Sequence, residues 1–367
     1  ESLLASGTVG TFSAVGVTVS YVRLGSENVA LIDTTGVEVK ANNIYVYAGR
    51  DADGQRNNSS ARSTALAASI GMVAVNMNAA VADNDTVNNA VIQGNGQLIA
   101  NNALKVGANS IATAYAEVLG LSYGAASIAA SFAIALLRSE QRAAIDGGDI
   151  EAGSLEVISR LNYNTSENSS EAKLGIGSGG LITVNANVAV AYGRSKSLAE
   201  INAASVDVTA GSIKVGSYGK AEVLSEITNL SISAITANVM VGVAYSQATF
   251  ASYINIPEDS TVTAGTVVIE TIYTTNAKAD VTPSAGGVQA SYASIGINLA
   301  LANAASNATA SLTGPGTLDA GSVKVKADGT ATAKALTQTP SISVNMVNIA
   351  ANTVVAILSA TQKAYIE

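Results

Sequence analysis

A short motif recurs six times along this chain at nearly constant spacing, and such a chain is constrained to fold as a stack of like units. The motif is an apolar residue, one intervening residue, Ala, a Gly or Asn, a spacer and an alternating apolar pair. Its copies read VKANNIYV (39–46), LIANNALKV (98–106), IEAGSLEV (150–157), VTAGSIKV (208–215), VTAGTVVI (262–269) and LDAGSVKV (318–325). The anchor alanines, Ala41, Ala100, Ala152, Ala210, Ala264 and Ala320, keep this near-constant step throughout. A second marker, an Ala-containing strand closing on an apolar residue, shortly precedes each anchor, at Ile32, Ile92, Ile145, Ile201, Ile254 and Leu312, with Ile366 as a seventh.

Between the markers the chain alternates apolar and small or polar residues with a period of two, as in 184–201 and 237–254. That is the pattern of strands. The Ala-rich parts would also suit a helix, but β-branched residues, Gly, Asn and Thr interleave throughout and favour strand. Each repeat therefore reads as a long strand after the anchor, a corner, a long Ala/Val/Gly strand and a short strand into the next anchor. Pro283 and Pro340 lie one repeat apart, about twenty residues after their anchors, and place the corner there, because proline cannot donate to a central ladder.

The expected fold is all-β, a β-solenoid of the parallel β-helix kind, built of about six repeats of roughly 56 residues in one domain spanning 1–367. One wide coil or two narrow ones per repeat both remain open. With one coil per repeat, equivalent residues stack about 4.7–4.9 Å apart. Tyr45, Lys105, Glu156, Lys214, Val268 and Lys324 would then form one column, in which Lys105, Glu156 and Lys214 alternate in sign. Val39, Leu98, Ile150, Val208, Val262 and Leu318 would point inward with the anchor alanines. Neither end carries a polar capping repeat, from which we expect a piece of a longer array or a subunit capped by neighbours in a polymer.

Composition narrows the function. The chain has no Cys, His or Trp, 13% charged and 4% aromatic residues, and a net charge of -8. This excludes a disulfide scaffold, a thiolate metal site, a Cys nucleophile and a His base. No basic stripe occurs, so nucleic acid is not an expected partner. The charge-free stretch 118–137 has the length of a membrane helix. A longer one, 281–318, is full of Asn, Ser and Thr, so low charge belongs to the whole repeat, and 4% aromatics suits an outer-membrane barrel's girdles poorly. No membrane insertion is expected. The chain opens at Glu1 without a leader, and an extracellular or cell-surface location is inferred rather than seen.

Carboxylates occur in pairs, Asp51/Asp53, Asp83/Asp85, Asp146/Asp149 and Glu258/Asp259. Two carboxyls at a set separation are what a glycosidase needs, so a β-helical carbohydrate-active enzyme, a polysaccharide lyase or hydrolase, is the alternative reading. Each pair has a turn-like setting without a flanking aromatic platform. Asp51-Ala52-Asp53-Gly54 starts like a calcium loop, but Gln55 and Arg56 stand where an oxygen ligand and Gly belong. We expect no catalytic, cofactor-binding or metal-binding residues. The polar run 50–62 is the longest insertion and reads as a projecting loop, where binding usually resides. Tyr192 and Tyr245, in the same slot of successive repeats, read as a stacked pair.

With its VTAGSIKV-type motif, Ala/Val/Gly alternation and closing A-x-x-I strand, essentially the whole chain resembles the repetitive passenger region of large secreted proteins of Gram-negative bacteria, the leukotoxin-type filamentous adhesin family. The resemblance implies a non-catalytic, adhesive β-helical rod, secreted by an autotransporter-like route. Its implied partners are further copies joined end to end and a host-cell or matrix surface, protein or glycan. It brings no catalytic or binding residues.

Overall fold

A computed structural model of the chain describes residues 1–49, 56–202, 205–282, 288–338, 342–344 and 347–367, the side chains of 209–210, 288–290 and 342–344 aside. Among the described residues it is all-β, with seventeen strands in one continuous, folded-over sheet and every strand pairing parallel. The strands wind as seven coils. The first is β1 (Ser2–Val9) and β2 (Ser13–Asp33). The second is β3 (Glu38–Ala48), β4 (Asn57–Ile70) and β5 (Val73–Gln93), and the third β6 (Gln97–Tyr123) and β7 (Ala126–Asp146). The fourth is β8 (Asp149–Ala152), β9 (Leu155–Leu161) and β10 (Ser170–Asn202), and the fifth is β11 (Ser205–Asn255) alone. The sixth is β12 (Thr261–Thr282), β13 (Val288–Ala290) and β14 (Ala293–Thr313), and the last β15 (Thr317–Thr337), β16 (Ile342–Val344) and β17 (Val347–Ile366).

Each coil has an outgoing leg that carries the anchor motif and a return leg that ends on the closing apolar residue. On the return legs Ser13 pairs Val73, Val73 pairs Ala126, Ala126 pairs Ile182, Ile182 pairs Ile235, Ile235 pairs Ala293 and Ala293 pairs Val347. Neighbours in the sheet are thus one full repeat apart in sequence, so each repeat makes one wide coil. A 21-residue return leg has a contour of about 70 Å at about 3.3 Å per residue, while seven coils rise only about 30 Å. Seven coils form a slab broader than it is tall, and only further coils would turn it into a rod.

The two legs of a coil fold back face to face. Asn84 donates to the carbonyls of Ser59 and Thr113, both at 2.8 Å, and Asn185 reaches Ser178 across the interior at 2.8 Å. Between the sheets lie columns of like residues, since a parallel stack repeats each inward side chain from coil to coil. The closing residues Ile32, Ile92, Ile145, Ile201, Ile254, Leu312 and Ile366 form one unbroken column. Each fully buried member contributes about 1.5–3 kcal/mol of apolar transfer. Nearer the corner the interior is mostly alanine, and this explains why helix-favouring composition yields strand: small side chains let the two sheets pack closely over their length. No helix occurs among the described residues.

Two expectations need correction. The fourth motif copy, in the fifth coil, does not align on Ala210: Val206 takes the inward slot between Ile150 and Val262, and Val208 pairs Ala264, the anchor position. Register is regained at Ser212–Thr266 and Ile213–Val267 after a bulge, so this copy holds two extra residues that a gapless motif alignment conceals. The side chain of Ala210 lies outside the described residues. The corner, too, is later than the prolines indicated. Pro283 and Pro340 lie outside the described residues, but the sixth coil continues outward through β13 and reverses at Ser291–Tyr292. The third reverses at Gly124–Ala125, further from Ala100 than either proline is from its own anchor.

Candidate binding surface

The outward side chains of the outgoing legs gather most of the exposed aromatic and charged groups outside the corner. Their first column is the one read from the motif: Tyr45 pairs Lys105, Lys105 pairs Glu156, Glu156 pairs Lys214, Lys214 pairs Val268 and Val268 pairs Lys324. Lys105 and Glu156 approach to 3.8 Å. Lys214 instead turns to Glu270, 3.0 Å away on the next coil and one step further along the leg. Parallel stacking offers each cation a diagonal partner as well as a direct one, and the diagonal carboxylate is the better covered.

Glu270 also accepts a hydrogen bond from Tyr218, whose ring lies 5.1 Å from that of Tyr163 and 5.4 Å from the Arg160 guanidinium. Burial pushes the Tyr218 hydroxyl up to about 12, helped by its bond to a carboxylate. Burial also pushes the Glu270 carboxyl up, but hydrogen bonds from Tyr218 and Lys214 and the Lys214 charge more than reverse this and leave it below its ordinary value. The result is a closed, mutually neutralised cluster.

Tyr163 sits in the loop 162–169, a projection not singled out in the sequence. Asn162 and Asn164 hold φ of 53° and 58°, the left-handed region that Asn tolerates. Asn162 is buried, accepts from the Ala112 amide at 2.7 Å and donates to the Ala112 carbonyl at 3.0 Å. Its amide replaces a missing backbone pair where the ladder is interrupted. The signal was present in Asn162-Tyr163-Asn164-Thr165-Ser166, a polar run with two αL-tolerant residues. Beside this loop lies a cleft of about 330 Å³ lined by Arg62, Thr113, Tyr115, Glu167, Asn168 and Glu171. Arg62 and Lys173 cover the Tyr115 ring at 4.7 and 5.9 Å, so the ring is not a free stacking platform. Burial and two nearby carboxylates push its hydroxyl well above the ordinary tyrosine value.

Of the insertion 50–62, residues 50–55 lie outside the described residues, including Asp51, Asp53 and the calcium-like run. Asn57–Arg62 is not loop but the start of β4, paired with Ser110–Tyr115. The other carboxylate pairs are engaged or surface-bound. Asp83 is 8% exposed, bonded by Arg138 at 2.8 and 3.0 Å, and Asp85 lies 3.9 Å from the same arginine. Asp146 accepts from Arg142 at 2.6 Å and from Asn202 at 3.2 Å, and Asp149 from Ser205 at 2.9 Å. Glu258 and Asp259 form a turn in which Asp259 has φ of 62°. Arg142 also binds the buried Glu200, which Tyr253 caps; desolvation raises the Glu200 carboxyl against the pull of Arg142.

Tyr192 and Tyr245 pair in register and stack, 5.3 Å between centroids and 9° between planes. Along the outgoing legs ion pairs at two-residue spacing recur at differing positions: Lys173–Glu171 at 2.5 Å, Lys220–Glu222 at 2.6 Å, Lys278–Asp280 at 3.2 Å and Lys326–Asp328 at 2.7 Å. No family model, curated protein or solved structure matches this chain.

Proposed function

We propose that this chain is a non-catalytic structural and adhesive module of a secreted or surface-exposed bacterial protein, of the kind found in filamentous adhesins. The observation that carries this reading is that charged side chains of the outgoing face are closed by partners of opposite sign on successive coils, at differing positions along the leg. Ion pairs at two-residue spacing recur on the fourth to seventh coils, whereas a catalytic site needs one unrepeated cluster with a free acid and base. Among the described carboxylate pairs, Asp83/Asp85 and Asp146/Asp149 are engaged by arginine, serine or asparagine, and the bonds from Arg138, Asn202 and Ser205 secure coils to one another. A coil added beyond β2 or β17, from the same chain or another copy, would continue the closing column from Ile32 or Ile366.

Two measurements test the reading together. Incubation with a panel of neutral and acidic polysaccharides is expected to release neither reducing ends nor unsaturated products. Overlay of the labelled chain on cultured cells and matrix proteins is expected to show saturable binding. Product release would overturn the reading in favour of a carbohydrate-active enzyme, with the cleft beside 162–169 as its site.

A further inference from the structure

The corner edge of the slab has a surface unlike the rest. The turns that join outgoing to return legs expose large apolar side chains: Phe12 at 76%, Met72 at 54%, Leu181 at 64% and Tyr292 at 68%. Tight turns are ordinarily polar. These residues share one line, because the Val73 amide bonds the Phe12 carbonyl, the Ala126 amide that of Met72, the Leu181 amide that of Ala125 and the Tyr292 amide that of Ala234. The apolar line runs along the edge from the first coil to the sixth.

Both faces beside the edge are apolar as well. On the return legs Val17, Ile128, Ile182, Val239 and Ile297 point outward and stay at least 43% exposed, and on the outgoing legs Leu119, Leu121, Tyr123 and Ile232 do the same. Charge is excluded from this zone in every coil: none occurs in 2–22, 63–82, 118–137, 174–193, 227–257, 281–318 or 335–362, nearly half the chain. It resumes on the outgoing face in a single row, where Glu117 pairs Lys173, Lys173 pairs Glu226 and Glu226 pairs Asp280. From Glu117 to Gly124 is seven residues, or about 23 Å. On the return face the charge-free band is longer, thirteen residues from Ala125 to Arg138.

The interior of the same zone mixes alanine with serine, threonine and asparagine, some bonded across the coils and some, such as Asn78, Asn187 and Asn229, buried without a side-chain partner. Ser127 donates to Ser122 at 2.8 Å, Asn185 to Asn238 at 2.8 Å, and Thr183 and Ser233 meet at 2.9 Å. Backbone groups there are paired from coil to coil. An apolar, uncharged exterior over a paired backbone is what hydrocarbon requires of protein.

We propose that this corner edge inserts into the outer leaflet of a zwitterionic lipid bilayer, leaning on its return face, with the row Glu117–Lys173–Glu226–Asp280 left at the headgroups. The outgoing reach of about 23 Å exceeds the roughly 15 Å of hydrocarbon in one leaflet, so the edge enters at a slant. The longer apolar band of the return face sets the lean. A second copy of the chain would cover one face and leave the tip and the other face wet, whereas a fluid apolar phase covers all three. The acidic bias of the row and the net charge of -8 favour neutral headgroups over anionic ones. Neither a membrane helix nor a closed barrel is involved, and no helix is long and apolar enough to cross a membrane among the described residues. Failure of this insertion would leave the adhesive reading standing.

The chain has no tryptophan, so Leu181→Trp places a single reporter at the tip. With phosphatidylcholine vesicles its emission is expected to shift to the blue and be quenched by brominated acyl chains, while Lys324→Trp stays unshifted. In flotation, the unaltered chain is expected to rise with phosphatidylcholine vesicles and no better with added phosphatidylserine. The combined variant Phe12→Ser, Met72→Ser, Leu181→Ser, Tyr292→Ser, whose sites are exposed and whose fold is checked by circular dichroism, should lose about tenfold in bound fraction. Flotation that the four changes leave intact, binding that needs anionic lipid, or dimers in sedimentation without vesicle binding would each overturn the proposal.

Discussion

Gly219 faces Phe250 across the interior so closely that a β-carbon at 219 would overlap the ring. Phe250 is fully buried and occupies a column that elsewhere holds Asn28, Asn88, Gln141 and Ser197. Those polar members bond up the stack, Asn28 to Asn88 at 2.6 Å and Asn88 to Gln141 at 2.9 Å. The fifth coil replaces that network with an aromatic ring stacked on Tyr273, 5.7 Å away, and glycine opposite makes the room.

Gly219→Ala should therefore destabilise the chain by about 1–3 kcal/mol or more through overpacking. The same change in a Phe250→Ala background should cost much less, because the ring it strikes is gone. Chemical denaturation of the four members of this cycle measures the coupling. Equal costs in both backgrounds would contradict the contact.

Asn162→Ala removes the amide that stands in for a backbone pair at Ala112 and leaves alanine in left-handed backbone. Strain of about 1–2 kcal/mol and an orphaned buried amide of about 1–3 kcal/mol add to a loss of about 2–5 kcal/mol. Amide exchange at Ala112 should accelerate selectively, and unchanged protection there would refute the role.

Arg138→Met deprives the buried Asp83 of the guanidinium nitrogen that bonds both its oxygens and leaves Arg23, 3.7 Å away, as its nearest cation among the described residues. We expect a loss of about 2–4 kcal/mol, since an uncompensated buried carboxylate costs more than the pair contributes. Adding Asp83→Asn should restore most of it. Thermal melts of the two variants decide the matter, and a double variant no better than the single would argue against an electrostatic origin.

Tyr218 gives an alkaline signature. Its folded value, about 12, lies above the ordinary 10.0, so between the two the folded chain keeps a proton that the unfolded chain has lost. Stability is fully present below pH 10 and is lost as pH rises towards 12. In Tyr218→Phe this segment of the stability profile should flatten. Glu270 acts in the opposite direction: its lowered carboxyl contributes stability above the unfolded value of about 4.5, lost as pH falls below it.

Repetition made much of this fold legible. The closing residues Ile32 to Ile366 and the column Tyr45 to Lys324 were identified by spacing alone and stack as read, because a parallel solenoid turns sequence period directly into contact. The stacked Tyr192 and Tyr245 follow the same logic. What spacing did not reveal are departures from the period. The two extra residues between Val208 and Ser212 are absorbed by a bulge, and a gapless comparison assigns them to the motif.

What the sequence by itself determined is the class of fold, the repeat length and the residues that share a column, since each is a property of periodicity along one dimension. Tertiary structure alone decided that each repeat closes into one wide coil and that the corner falls at Gly124–Ala125 and its equivalents. It also decided that Arg138 reaches Asp83 and that Asn162 completes the ladder of Ala112. The physical reason is that alternation shows only that a side chain points to one of two faces. Which face is covered by the other leg, and which is left bare at the corner, depends on where the chain folds back.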